Sequence, residues 1–206
     1  LQRANGTLVA PNMFIPYAEK NNLILPLTEL LLDQIYKDLP KLEGFVSVNI
    51  VSEHLEKGLI SRYLLNRDDS NTAKLCFELT ERQPMTNFVA ATEEIKRLSQ
   101  LCYGVKLDDF GTGFSGFSYL QQLGINSFKI DKMFIDTIGT EDLKRGVLDA
   151  IINFGHKLNM SMIAEGVETQ IQLDYLKQHN VQFVQGYYFA RPLPLNELLQ
   201  QHYTSQ

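Results

Sequence analysis

The chain has 206 residues, 44% hydrophobic and 21% charged, which excludes disordered, collagen-like and disulfide-scaffold classes and leaves enough apolar side chain for a core. With 24 acidic and 19 basic side chains its formal charge is −5, so no basic field draws a nucleic-acid polymer and a duplex is not expected as a partner. Two cysteines, Cys76 and Cys102, are too few for a disulfide framework and share no metal-ligand spacing, which suits a reducing compartment.

The first residues show neither a start methionine nor a signal-peptide pattern, so the chain reads as an N-terminally truncated piece of a larger protein. The apolar stretch at 23–32 is broken by Pro26, Thr28 and Glu29, short of the roughly 20 residues a membrane helix needs. A helical region spans 12–39. β-rich runs follow at 45–51, 75–80, 105–108, 127–131, 160–164 and 183–189, alternating with helical spacing at 88–101, 117–123, 143–158, 169–179 and 195–202, and more weakly at 55–65. The polar cluster at 66–71 is a loop by composition. One domain over 1–206 is expected, with no linker inside it.

Such alternation demands parallel strands joined by crossover helices. Polar residues fall at the strand ends in chain order: Asn49, Glu78, Asp108 with Asp109, Lys129 with Asp131, Glu165 and Gln185. An open sheet gathers ligands at one switch point, whereas a closed ring aims every C-terminal strand end at one mouth. The fold expected is therefore α/β, a modified (β/α)8 TIM-type barrel with its first strand or strands upstream of Leu1.

Carboxylates at Glu78, Asp108, Asp109 and Glu165, amides at Asn49 and Gln185 and one ammonium at Lys129 make a hard oxygen site without His or Cys, suited to Mg²⁺ or Mn²⁺. Adjacent aspartates in a strand point to opposite sides, so Asp108 and Asp109 both serve only where the strand gives way to the loop containing Gly111, Thr112 and Gly113. Asp108 bridging two ions would set up in-line attack of water on a phosphodiester. Lys129 and Asp131, two apart on one strand, share a face, the cation holding water or phosphoryl oxygen while Asp131 orients it. Singly, each of these residues is better explained as a cap, a turn former or a snorkelling lysine. Their coincidence at six strand ends is what carries weight. The four histidines are read as structural, and Tyr187-Tyr188-Phe189 as strand packing with one ring able to stack on a base.

These residues lie in segments that resemble the EAL domain, the cyclic di-GMP phosphodiesterase family of bacterial signalling: Ser47-Val48-Asn49, Phe77-Glu78-Leu79-Thr80-Glu81, Asp108 to Ser115, Phe128-Lys129-Ile130-Asp131, Ala164 to Thr169 and Gln185-Gly186-Tyr187. The resemblance implies a modified (β/α)8 barrel that opens cyclic di-GMP to linear pGpG with Mg²⁺ or Mn²⁺, two ions, and is inhibited by Ca²⁺. By position it implies metal ligands at Asn49, Glu78, Asp108, Asp109 and Glu165. Lys129 corresponds to the lysine that holds the catalytic water, Glu165 also to a general base, and Gln185 to a polar contact at the site. Glu168 would brace the loop after Asp109, through which a homodimer forms. An upstream sensory or regulatory domain and a cytoplasmic setting, with or without a membrane-anchored parent, are also implied.

Two departures stand out. The family's Glu-Ala-Leu motif, with its following Arg, is expected upstream of Leu1; Val51 replaces a common serine, and Gly116-Phe117 the usual Ser-Leu. The competing reading is a catalytically weak or inactive EAL domain that serves as a cyclic di-GMP receptor. A barrel glycosidase with two carboxylates is a third, and it would need neither the lysine nor the adjacent Asp pair.

Overall fold

The computed structural model describes residues 5–67, 69–80, 84–112, 116–142 and 145–204. The chain divides into two compact units, Leu1–Glu43 and Gly44–Gln206. In the first, α1 (Pro11–Lys20) and α2 (Ile24–Asp38) pack on each other. Pro11 opens α1, where its missing N–H costs no bond. Asn22 adopts φ 55° between the helices, a left-handed turn that asparagine tolerates.

The second unit is a six-stranded parallel sheet: β1 (Val46–Ile50), β2 (Leu75–Leu79), β3 (Gly104–Phe110), β4 (Ser127–Ile130), β5 (Ser161–Ala164) and β6 (Phe183–Val184). Spatial order follows chain order from β1 to β6. A doubly wound sheet reverses direction partway across, and this one does not, so the strands wind in one sense as a barrel wall does. Between them run α3 (Ser52–Glu56), α4 (Leu59–Leu64), α5 (Asp69–Thr72), α6 (Phe88–Leu101), α7 (Gly116–Leu123), α8 (Lys132–Ile135), α9 (Arg145–Lys157) and α10 (Gln170–Gln178), with α11 (Leu195–Thr204) last.

Strand alternation sorts the side chains. Val48, Ile50, Leu75, Phe77, Leu79, Leu107, Phe128 and Ile130 are buried. Phe110, Phe117, Phe128 and Phe154 form one aromatic cluster joining β3 and β4 to α7 and α9. Gly155 lets α9 approach the sheet, since a Cβ there would lie 2.3 Å from Met162 Sδ. Two carboxylates tie the helices behind β1 to β3. The fully buried Glu94 of α6 accepts from Ser61 N at 2.7 Å and Ser61 Oγ at 2.6 Å, satisfying the start of α4. Glu56 of α3 accepts from Asn87 N and Thr86 Oγ1 at the start of α6.

Three sequence expectations change. The last strand was expected over 183–189 but stops at Val184, and Tyr187, Tyr188 and Phe189 form an exposed turn instead of strand packing. The cause lies at Gly186, whose missing Cβ would fall 2.2 Å from Val167 O, while Tyr188 N donates to that carbonyl at 2.9 Å. Residues 127–131 do not form one strand: β4 ends at Ile130, and Asp131 accepts from Met133 N at 2.7 Å to start α8, a helix that sequence periodicity is too short to show. The polar cluster at 66–71 is partly helical, in α5.

Candidate active site

Register builds the site. Asn49 stands opposite Glu78, and Glu78 opposite Lys106, so Asn49, Glu78 and, two residues beyond Lys106, Asp108 fall on one face of the sheet. Lys129 pairs with Ile163, which brings Glu165 to the same face just past β5. Gln185 follows β6 directly, its N–H bonded to Ala164 O. The inward face borders a cavity of about 530 Å³ lined by residues that include Ser47, Glu78, Lys106, Lys129 and Gln185.

The adjacent aspartates share this rim through a β-bulge. Leu107 pairs with Phe128 but Phe110 with Ile130, which leaves Asp108 and Asp109 of β3 opposite the single residue Lys129 of β4. Asp109 takes φ 54°, which turns both carboxylates toward one space. The sequence placed them at the strand's end, yet β3 runs on to Phe110, and the bulge does what the loop was expected to do. Thr112 N and Oγ1 both bond Asp109 O, at 3.2 and 2.8 Å, closing the turn. Gly111, at φ 94°, leaves room for Phe134, whose ring would meet a Cβ at 2.9 Å. Gly113 lies outside the described residues.

Lys129 occupies the centre. Its Nζ lies 2.8 Å from Glu78 Oε2, 3.1 Å from Asp108 Oδ1, and in contact with Glu165 Oε1. Lys129, Glu78 and Asp108 are all buried. Burial would lower the lysine pKa, but the charge on Asp108 and the bonds to Glu165 and Glu78 outweigh it and hold it above the ordinary value. Burial pushes the Glu165 carboxyl up, against the pull of Lys129. Glu165 Oε1 also accepts from Gln185 Nε2 at 2.6 Å.

Asp108, Asp109 and Glu165 bring carboxylate oxygens within 4.8 Å of one another. Asp108 Oδ1 is buried and, despite its closeness to Lys129, makes no hydrogen bond among the described residues. An oriented, unsatisfied oxygen among hard donors fits a divalent cation. Glu78 faces Lys129 rather than this trio, and the Asn49 residue is exposed on its strand. Glu168 pairs, among the described residues, with Lys132 Nζ at 3.1 Å.

Beside Glu165 a second cavity, about 510 Å³, is bounded by Lys132, Gly166, Gln185, Tyr187 and Arg191 among others. Arg191 lies 4.4 Å over the Tyr187 ring. Sequence reasoning missed Lys132 and Arg191, since neither sits at a strand end; Pro192 after Arg191 marks only a turn.

Residues 1–192 match the EAL domain family, and the chain belongs to it. It is 36% identical over 207 residues to the probable cyclic di-GMP phosphodiesterase PdeG of Escherichia coli K12, covering 96% of this chain and 41% of the relative. To the cyclic di-GMP phosphodiesterase NbdA of Pseudomonas aeruginosa it is 34% identical over 200 residues, covering 93% and 26%. The chain thus spans well under half the length of these curated relatives. Among solved structures, the EAL enzyme Bd1971 with cAMP and cyclic di-GMP bound superposes with a TM-score of 0.86 at 28% identity, over 97% of this chain and 57% of that one. The PaMucR phosphodiesterase in complex with cyclic di-GMP gives 0.81 at 30%, over 93% and 87%. No helix among the described residues is long and apolar enough to cross a membrane.

Proposed function

We propose that this chain is the catalytic module of a metal-dependent phosphodiesterase that hydrolyses cyclic di-GMP to linear pGpG. The observation that carries the reading is the convergence of Glu78, Asp108, Asp109, Lys129, Glu165 and Gln185 on one rim, in a family whose relatives are named for this activity. The reaction adds water across one P–O3′ bond: the water oxygen joins phosphorus, the 3′ oxygen leaves with a proton, and the phosphate stays on the 5′ side.

Asp108, Asp109 and Glu165 would hold Mg²⁺ or Mn²⁺, with Asn49 and Glu78 extending the set toward a second ion, and Ca²⁺ would inhibit. When bound, such ions supply an acidified water and offset charge on the phosphoryl oxygens. Lys129, fully protonated and fixed by three carboxylates, presents positive charge where the attacking oxygen and the phosphoryl group meet. Glu165, its Oε1 held by Lys129 and Gln185, would accept a proton or bind metal through its carboxylate. Asp131, capping α8 with one oxygen, can offer the other to substrate. The Tyr187–Arg191 stack offers a flat cationic face to a guanine.

The module is read as 1–206, within a longer cytoplasmic protein whose other parts regulate it, and as half of a homodimer joined through the loop after Asp109. All of the downstream carboxylates are present, which favours hydrolysis over a receptor. The test is Mn²⁺-dependent release of pGpG from cyclic di-GMP by the parent protein, followed chromatographically. Release that stops on chelation is expected; tight binding of cyclic di-GMP with no release would establish the receptor instead.

A further inference from the structure

Lys132 takes no part in the reaction above, yet the rim loop 165–168 is built against it. Gly166, at φ 70°, lets the lysine stem cross its backbone: a Cβ there would fall 2.5 Å from Lys132 Cγ and 2.6 Å from Cδ. Past the glycine, the ammonium reaches Glu168 Oε1 at 3.1 Å and Asp136 Oδ1 at 2.7 Å. Its helix, α8, starts directly after β4, the strand of Lys129, and is capped there by Asp131. One side chain therefore ties the Lys129 strand to the loop that carries Glu165, along the cavity that Lys132 and Glu165 both line.

Lys132 and Glu168 have side chains 44% and 43% exposed, so their ion pair adds little to global stability. Its effect is on orientation. Backbone bonds hold the loop at Glu165 N to Ile130 O and Val167 N to Gln185 O, and between these two points Gly166 is the freest residue. The Lys132 stem lies on that residue. We infer that Lys132 is a positioning residue: it holds loop 165–168 against α8 and so aims the Glu165 carboxylate at Asp108 and Asp109. The loop restraint stands on the geometry alone; its kinetic consequence rests on the phosphodiesterase reading.

Amide hydrogen exchange on the 206-residue chain tests it, with Lys132→Ala and Lys132→Arg. Val167 N–H, bonded to Gln185 O, and Glu168 N–H, bonded to Gln172 Oε1, report on the loop. Lys132→Ala is expected to speed exchange at both by about tenfold, with β2 and α6 unchanged and Tm within about 2 °C, and Lys132→Arg to restore protection. In the parent protein the Ala variant should lower kcat by roughly tenfold at constant KM. Unchanged protection at Val167 and Glu168 overturns the inference, as does faster exchange throughout the chain with a lowered Tm, which would mark a purely structural lysine. Local loosening in a chain whose parent shows no turnover supports the restraint and refutes the phosphodiesterase reading.

Discussion

Gln185 Nε2 donates to Glu165 Oε1 across 2.6 Å, joining the residue just past β6 to the one just past β5. The bond shares its acceptor with Lys129 Nζ, so the glutamate is held from two sides. Removing one neutral donor to a charged acceptor costs about 1.5–3 kcal/mol. Gln185→Ala is therefore expected to lower kcat by roughly 10- to 100-fold with a smaller change in KM, measured on cyclic di-GMP. A wild-type rate would remove Gln185 from the positioning of Glu165.

Lys129 is a cation paired at once with Glu78, Asp108 and Glu165 in a buried setting, offsetting part of their charge. Lys129→Ala should abolish turnover. Leaving buried carboxylates without their partner should also cost roughly 3–5 kcal/mol of stability in chelator, by urea denaturation. Saturating Mn²⁺ should recover part of that loss, because a ligand that binds the folded state alone stabilises it. Equal stability of variant and wild type in chelator would argue against the charge balance described.

Two glycines are expected to respond oppositely to alanine. At Gly186 a Cβ would lie 2.2 Å from Val167 O, a backbone atom that cannot swing away. Gly186→Ala should separate the loops carrying Gln185 and Glu165, lowering Tm and abolishing turnover. Gly146 in α9 has open space around its Cβ position, and Gly146→Ala should be neutral or stabilise by up to about 1 kcal/mol. Thermal melts of both variants decide the matter.

Glu94 is fully buried, with both oxygens used on Ser61. Glu94→Ala strips the start of α4 of its acceptor and leaves a cavity. A loss of about 3 kcal/mol is expected, against a smaller one for Glu94→Gln, which keeps one acceptor. Equal losses for the two variants would contradict the capping role.

His54 is buried, accepts from Val51 N at 3.0 Å, and has no partner for Nε2 among the described residues. Burial is the largest cause that lowers its pKa from 6.5 to about 4. Because the folded value lies below the unfolded one, the unfolded chain takes up the proton first. The His54 contribution is thus intact above pH 6.5, falls as pH drops, and is lost by about pH 4, a change of about 3 kcal/mol. Urea melts across this range should show the slope in wild type and its reduction in His54→Gln.

Much of this was legible in the sequence, because strand ends are marked by local composition. The six strands, most of the long helices and the residues of the rim follow from the alternation of apolar runs and from which polar residue closes each run. Sequential β1 to β6 order, rather than a reversing sheet, follows from the same ring argument. What local pattern could not show was anything set by two backbones meeting. The end of β6 at Val184 depends on Gly186 lying against Val167, and the shared direction of Asp108 and Asp109 depends on a bulge measured against β4. The reach of Lys132 over Gly166 to Glu168 is likewise a contact between elements distant in the chain, whereas the departure of Asp131 from its strand is a local cap on Met133 N, hidden because α8 is only four residues long. Periodicity reports which face a side chain takes within its own element; only packing decides which atoms then come within bonding distance.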